Sequence, residues 1–391
     1  MYNKATKYLY AGKYAKALAF YKKEPLEFKE KYLNMGNCYK QLGDLDNALK
    51  CYLLAAKEDI PNADGTRGEY ALAYNNLGLL SYAMGNDDEA ISFYKAALKL
   101  NPMHQEAIWN HANATLRRYF SSDAPNPVDW QVGWQLYEYR FKRENGAVRI
   151  SCGGLPRWDG ISSGDSICVI AEQGLGDKIM FGRYIHCLRS YFKTVYVQCH
   201  PSLDVFFSDF EICRDAVGSC YVPICSLAGH FGLISEKWLE GKFNARDFGS
   251  GLNIGCVWSG SITHANDRNR SCPSSYFSEL SRYGNLYSLN PGARPAKNVL
   301  AIGTKDWGST ASAILGLDVV VTVDTSIVHL AGTLGVPCIM VQPVLETDFR
   351  WGLGHSDTPW YKSVVIVNHT NWDTAFSIVG KLLGEMHVRN S

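Results

Sequence analysis

The sequence predicts a helical repeat region followed by a pair of Rossmann-like α/β halves, and three observations predict it. Residues 34–56 realign on residues 76–98. After residue 165, short apolar runs alternate with helix-length stretches, and a segment rich in turn formers separates the two patterns.

The repeat comes first in the chain. "NMGNCYKQLGDLDNALKCYLLAA" at 34–56 matches "NLGLLSYAMGNDDEAISFYKAAL" at 76–98 after a shift of 42 residues, with Gly36 on Gly78, Gly43 on Gly85, Ala48 on Ala90, Tyr52 on Tyr94 and Ala55 on Ala97. Small residues at these positions let paired helices approach closely, and Gly-Asp or Gly-Asn makes the turn between them. This resembles the tetratricopeptide repeat, whose period is about 34 residues; the polar insertion "PNADGTRG" at 61–68 accounts for the longer spacing. "AGKYAKALAFYKK" at 11–23 reads as the second helix of an earlier repeat, and "NPMHQEAIWNHANATLRRYF" at 101–120 as the closing helix. Such arrays offer a concave surface to a protein segment. The competing reading is that these helices only cap or dimerise the domain that follows.

"SSDAPNPVDW" at 121–130 ends the repeats. "WQVGWQLYEYRFKREN" then resumes helical spacing, with Trp130, Trp134, Tyr137 and Phe141 near one face, which predicts a packing face joining two domains. Strands are expected at 167–171, 194–199, 220–224, 253–258, 285–289, 298–302, 318–323, 337–341 and 364–367. Apolar, β-branched runs of this kind indicate parallel sheets covered on both faces. "EGKFNARDFGSG" at 240–251 is a hinge candidate. The expected boundaries are 1–120 for the repeats, 121–160 for a linker and connecting helix, 161–248 for the first Rossmann-like half and 249–391 for the second.

Composition limits the function classes. Lys+Arg 39 against Asp+Glu 38 gives a net charge of +1, so there is no overall basic field for nucleic acid. No charged-then-apolar leader and no 18-residue apolar run is present, which predicts a cytoplasmic protein without a membrane span. The 12 cysteines contain no CxxC pair and are expected to be reduced, buried hydrophobes.

In parallel α/β sheets, ligands bind at the carboxyl ends of the strands, where loops meet helix starts. Three such loops carry chemistry. "AEQGLGDKIMFGRY" at 171–184 places Asp177 at a helix start behind Gly174 and Gly176; a carboxylate there is held ionised and able to accept a proton, or serves only as a helix cap. "GCVWSGSITHANDRNRS" at 255–271 holds Ser259, Ser261, His264, Asp267, Arg268 and Arg270, and arginines in a post-strand loop suit a phosphate. "DVVVTVDTSIVHLAGTLGVP" at 318–337 ends a strand at Asp324 and opens a helix with Thr325-Ser326, an arrangement that suits an anion; His329 follows within a turn, near that anion or in the core.

These loops, together with "RWDG" at 157–160, "SLAGHFG" at 226–232 and "DFRWG" at 348–352, resemble the heptosyltransferase-like glycosyltransferases of the GT-B fold, in the branch that carries tetratricopeptide repeats ahead of the catalytic part. The likeness covers nearly the whole chain. It implies transfer of a sugar from a nucleotide sugar, with Asp177 as base toward the acceptor and Arg268 or Arg270 on the diphosphate. Asp324, Thr325, Ser326 and His329 would hold phosphates and sugar hydroxyls, with Ser259, Gln342 and Asp348 as further donor-side residues and Arg350 beside them. Glu172, Gln173, Gly174, Gly176 and His230 would form the acceptor side. The sole Asp-x-Asp, Asp44-Leu45-Asp46, lies in a repeat turn, so neither a metal nor another cofactor is expected. A protein recruited by the repeats is the expected acceptor. The alternatives are a glycan or lipid-linked acceptor, and a non-catalytic scaffold that binds a nucleotide sugar.

Overall fold

The structure, a computed structural model, describes residues 1–391 except 67, 69, 144, 145, 147, 236, 265, 291–295 and 391. Two compact units result: Met1–Ala147 with Asp348–Arg350, and Val148–Thr347 with Trp351–Ser391.

The first unit is a series of helices, each packed on the next: α1 (Tyr2–Tyr10), α2 (Tyr14–Tyr21), α3 (Lys29–Gln41), α4 (Leu45–Ala56), α5 (Ala71–Ala83), α6 (Asp87–Leu100), α7 (Gln105–Phe120) and α8 (Pro127–Tyr137). The realigned residues explain the pairing. A side-chain carbon on Gly36 would stand 2.4 Å from the Tyr52 ring, and one on Gly78 would stand 2.5 Å from Tyr94. Each glycine therefore admits the partner helix's tyrosine onto its backbone. Gly43 and Gly85 turn the chain between helices with φ of 81° and 85°, a region open to glycine. Asp44 then caps α4 by accepting the Asn47 N–H at 3.2 Å.

The aromatic stripe on α8 is buried at Trp130, Trp134 and Tyr137. It meets Phe120 of α7 and also Phe349, which lies 6.0 Å from Trp134 and 5.6 Å from Tyr137 between ring centroids. Of the 61–68 insertion, Arg67 lies outside the described residues.

The second unit contains two parallel sheets, as the sequence predicts. The first has the order β3-β2-β1-β4, built from β1 (Gly164–Ile170), β2 (Phe192–Gln198), β3 (Glu211–Cys213) and β4 (Cys220–Pro223). With it go α9 (Leu175–Phe181) and α10 (Leu227–Phe231). The second has the order β10-β9-β8-β5-β6-β7, built from β5 (Asn253–Val257), β6 (Asn285–Ser288), β7 (Val299–Ala301), β8 (Val319–Val323), β9 (Cys338–Pro343) and β10 (Val364–His369). Its helices are α11 (Asp267–Arg270), α12 (Ser274–Ser278), α13 (Trp307–Leu315), α14 (Ser326–Leu334) and α15 (Trp372–Asn390).

Central strands β5 and β8 are buried at every residue, which is why they read as mostly apolar runs, with Asn253 and Thr322 as their polar members. Around them Ile254, Trp258, Phe277, Val321, Ile339 and Val367 form one core. Two details differ from the sequence reading. β3 was not expected, because it is three residues long, begins with an exposed Glu211 and buries none of its residues fully. The helix after β1 is also short, ending at Phe181 and continuing as a 3-10 segment over Gly182–Ser190.

Candidate functional site

All three chemistry-bearing loops lie at the carboxyl ends of their strands: 171–174 after β1, 258–264 after β5, and 324–325 after β8. The first and third meet. A side-chain carbon on Gly176 would stand 2.7 Å from Cδ2 of His329, 3.3 Å from its Nε2 and 3.5 Å from the Ser326 Cα. Gly176 is thus the residue that lets α9 lie against the start of α14, and a larger residue would separate them.

Asp177 is the third residue of α9 and is half-buried. Its Oδ2 accepts the Gly174 N–H at 3.0 Å, so it caps the helix it stands on. Gln173, just before, holds a left-handed φ of 69°. Such a conformation costs a residue with a side chain about 1–3 kcal/mol and concentrates at functional loops. Glu172 is buried, and its Oε1 accepts the Cys225 N–H at 3.2 Å, tying the end of β1 to the turn after β4.

The second loop joins the third through Arg270. Its Nε donates to the Asp324 carbonyl at 3.0 Å, Nη2 donates to the same oxygen, and Nε lies 3.8 Å from the Asp324 carboxylate. Gly260 leaves room for this: a side-chain carbon there would sit 3.3 Å from Arg270 Nη2 and 3.6 Å from the Thr325 methyl. Thr325 caps α14, its Oγ1 accepting the Ile327 N–H at 3.3 Å. Arg268, two residues from Arg270, is exposed. The two arginines therefore differ in burial, Arg270 bracing the Asp324 turn and Arg268 lying exposed.

Ser259 is fixed by Asn290, whose Nδ2 donates to its carbonyl and to its Oγ, both at 2.9 Å. Asn290 Oδ1 also accepts the Trp258 N–H at 2.9 Å. His329 is buried, its Nδ1 lies 2.9 Å from the Tyr361 hydroxyl, and its ring stacks on Trp351 at 5.1 Å. Asn290 and Tyr361 escaped the sequence reading, and Trp351 stood in the DFRWG stretch without a role of its own. Asn290, just beyond the end of β6, carried a local signal.

Gln342 is buried in β9, where its Nε2 donates to Asn368 Oδ1 at 2.9 Å and to the Gly352 carbonyl at 3.3 Å. Asp348 groups with the helical unit. The buried Phe349 anchors that tripeptide in the α8 aromatic stripe, and Asp348 accepts from Arg350 Nη1 at 2.8 Å while Arg350 Nη2 reaches the Tyr137 hydroxyl at 3.4 Å. His230 lies on the "RWDG" turn, its ring 5.1 Å from Trp158 and close beneath Gly160.

Among the described residues, no group of three or more His, Cys, Asp or Glu side chains is placed to hold a metal ion. Nor is any described helix long and apolar enough to cross a membrane.

With this geometry in hand, comparison with known proteins gives the following. Residues 30–102 match the tetratricopeptide repeat family. The helical unit carries tetratricopeptide repeats. No curated protein matches the chain. Among solved structures, it is similar to E. coli ADP-heptose lps heptosyltransferase II, 11% identical, covering 57% of this chain and 99% of that one with a TM-score of 0.37. It is also similar to a Thermobaculum terrenum O-GlcNAc transferase mutant, 11% identical, covering 92% of this chain and 84% of that one with a TM-score of 0.31. A third similarity is to the first tetratricopeptide domain of Spaghetti bound to an HSP90 peptide, 26% identical, covering 28% of this chain and 83% of that one with a TM-score of 0.24.

Proposed function

We propose that the chain is a glycosyltransferase that moves a sugar from a nucleotide-sugar donor to an acceptor, a protein recruited by the repeats. One observation carries the reading. Three sequence-distant loops, each at a strand's carboxyl end, converge through Gly176 on His329 and through Arg270 on Asp324.

The proposed chemistry follows from the residue types. Transfer builds an oxocarbenium-like centre while the leaving diphosphate gains negative charge, so cationic and N–H-rich surroundings lower the barrier. Arg268 contacts the diphosphate directly, while Arg270 keeps the Asp324–Ser326 turn in the shape that exposes the first N–H groups of α14. Ser259 and His329 complete the donor side; Glu172 and Gln173 shape the acceptor side. Asp177 takes the acceptor's proton, a role worth about 10²–10⁴-fold. With cations and helix N–H groups neutralising the diphosphate, transfer proceeds without a metal. Turnover is expected to persist in excess chelator, and loss that Mn²⁺ restores would contradict this.

The capping bond of Asp177 supports a second reading, in which the loop is only structural and the protein is a nucleotide-sugar-binding scaffold. Asp177→Asn separates the two. Asparagine keeps an oxygen for the Gly174 N–H, so the fold should survive, while turnover falls at least about a hundredfold with donor binding intact. Unchanged turnover would remove Asp177 as the base; absence of any turnover in the wild-type chain with every donor class would favour the scaffold.

A further inference from the structure

His329 places one edge of its imidazole where the loops meet, and the tautomer decides what that edge can do. With hydrogen on Nε2 it donates; with hydrogen on Nδ1 the same nitrogen can only accept. The choice is made by whatever faces the other nitrogen. Here that group is the Tyr361 hydroxyl, 2.9 Å from Nδ1.

Tyr361 is held from two directions. A side-chain carbon on Gly332 would stand 2.4 Å from the Tyr361 Cγ, so this glycine is what allows the ring to lie directly on α14, three residues beyond His329. Against the ring face stands Arg183, its guanidinium carbon 4.6 Å from the centroid. Arg183 is fully buried. Its Nε donates to the Met180 carbonyl at 2.7 Å, and its Nη1 donates to the carbonyls of Ile234 at 2.9 Å and Trp360 at 2.8 Å. Nη2 meets no hydrogen-bond partner among the described residues.

A buried cation on an aromatic face acts through a low dielectric and draws electron density out of the ring. A phenol so polarised is a better donor and a poorer acceptor. Such a phenol favours giving its proton toward Nδ1, an arrangement that leaves the imidazole hydrogen on Nε2. The ring is kept from turning by Trp351, stacked on it with an interplanar angle of 21°. The Nε2 edge is the one that faces Gly176, where a side-chain carbon would come within 3.3 Å of Nε2.

We propose that Tyr361, held by Arg183 and Gly332, is a positioning residue that fixes His329 as the neutral Nε2–H tautomer and so aims a hydrogen-bond donor at an anionic oxygen of the donor's diphosphate. This rests on the diphosphate reading of the site. It adds a neutral donor beside the arginines, which orients an oxygen without further charge.

The test uses the full chain with ¹⁵N-labelled histidine and long-range ¹H–¹⁵N correlation spectra, with His329 assigned by its disappearance in His329→Gln. The wild-type spectrum should show hydrogen on Nε2 and a bare Nδ1. In Tyr361→Phe, which keeps the ring, the pattern should become a mixture or shift to Nδ1–H. Arg183→Met should move it in the same direction. An Nδ1–H pattern in the wild type, or a pattern unmoved by Tyr361→Phe, overturns the proposal; the wild-type spectrum alone decides the first point if a variant fails to fold. Titration with inorganic pyrophosphate reads the underlying assumption separately. Loss of one hydrogen bond should weaken pyrophosphate about three- to tenfold in Tyr361→Phe. A wild-type chain with the Nε2–H tautomer and no pyrophosphate binding would leave the tautomer control standing and remove the diphosphate reading.

Discussion

At the scale of single residues, the proposed site divides between groups assigned to a ligand and groups that hold those groups in place. Arg268 and Arg270 make the division testable. Arg268→Ala, at an exposed position, should weaken nucleotide binding and lower the thermal midpoint less than Arg270→Ala does, since exposed side chains contribute less to stability. Arg270→Ala should lower both, because it removes the brace on the Asp324 carbonyl. Equal effects of the two on stability, measured by calorimetry, would contradict the division. Gly176→Ala should cost about 1–3 kcal/mol by forcing α9 off His329. Asp177, Arg270 and Thr325 stood out in the sequence as candidates because each lies in the loop or helix start that follows a strand, β1, β5 and β8 respectively. Tyr361 and Arg183 did not, because a tyrosine in a loop and an arginine inside an apolar segment acquire meaning only when the chain brings them onto α14.

At the scale of elements, the repeated Gly36/Gly78 and Tyr52/Tyr94 in the sequence became contacts, each glycine seating a tyrosine of the next helix. Gly78→Ala should therefore destabilise the helical unit by about 1–3 kcal/mol, and much of that should return in Gly78→Ala/Tyr94→Leu. Chemical denaturation followed by helical circular dichroism measures both; additivity of the two changes would show that they do not share a site. Long buried strands such as β8 were legible because every residue is apolar or buried. β3 was not, since three partly exposed residues carry no period. The Asp348–Arg350 tripeptide was legible only as charge, whereas the phenylalanine between those charges packs in the α8 aromatic stripe.

At the scale of the whole molecule, each unit buries a histidine whose pKa burial pushes down to about 4 from its usual 6.5: His111 in the helical unit and His369 in the α/β unit. Between those pH values the unfolded chain binds protons that the folded chain refuses. Stability is thus fully present above about pH 6.5 and declines as pH falls toward about 4. Scanning calorimetry across that window should show a falling midpoint, with a shallower slope in His111→Gln; a flat profile would contradict the burial argument.

The central claim is that the converging loops bind a nucleotide sugar through its diphosphate. The most direct measurement is a thermal-shift screen of the wild-type chain and Arg268→Ala against ADP-, UDP-, GDP-, CMP- and dTDP-linked sugars and the free nucleotides. A donor at a hundred times its dissociation constant should add about 2.7 kcal/mol of stability. The account predicts a midpoint increase for one nucleotide class, reduced in Arg268→Ala; no increase for any class would contradict it.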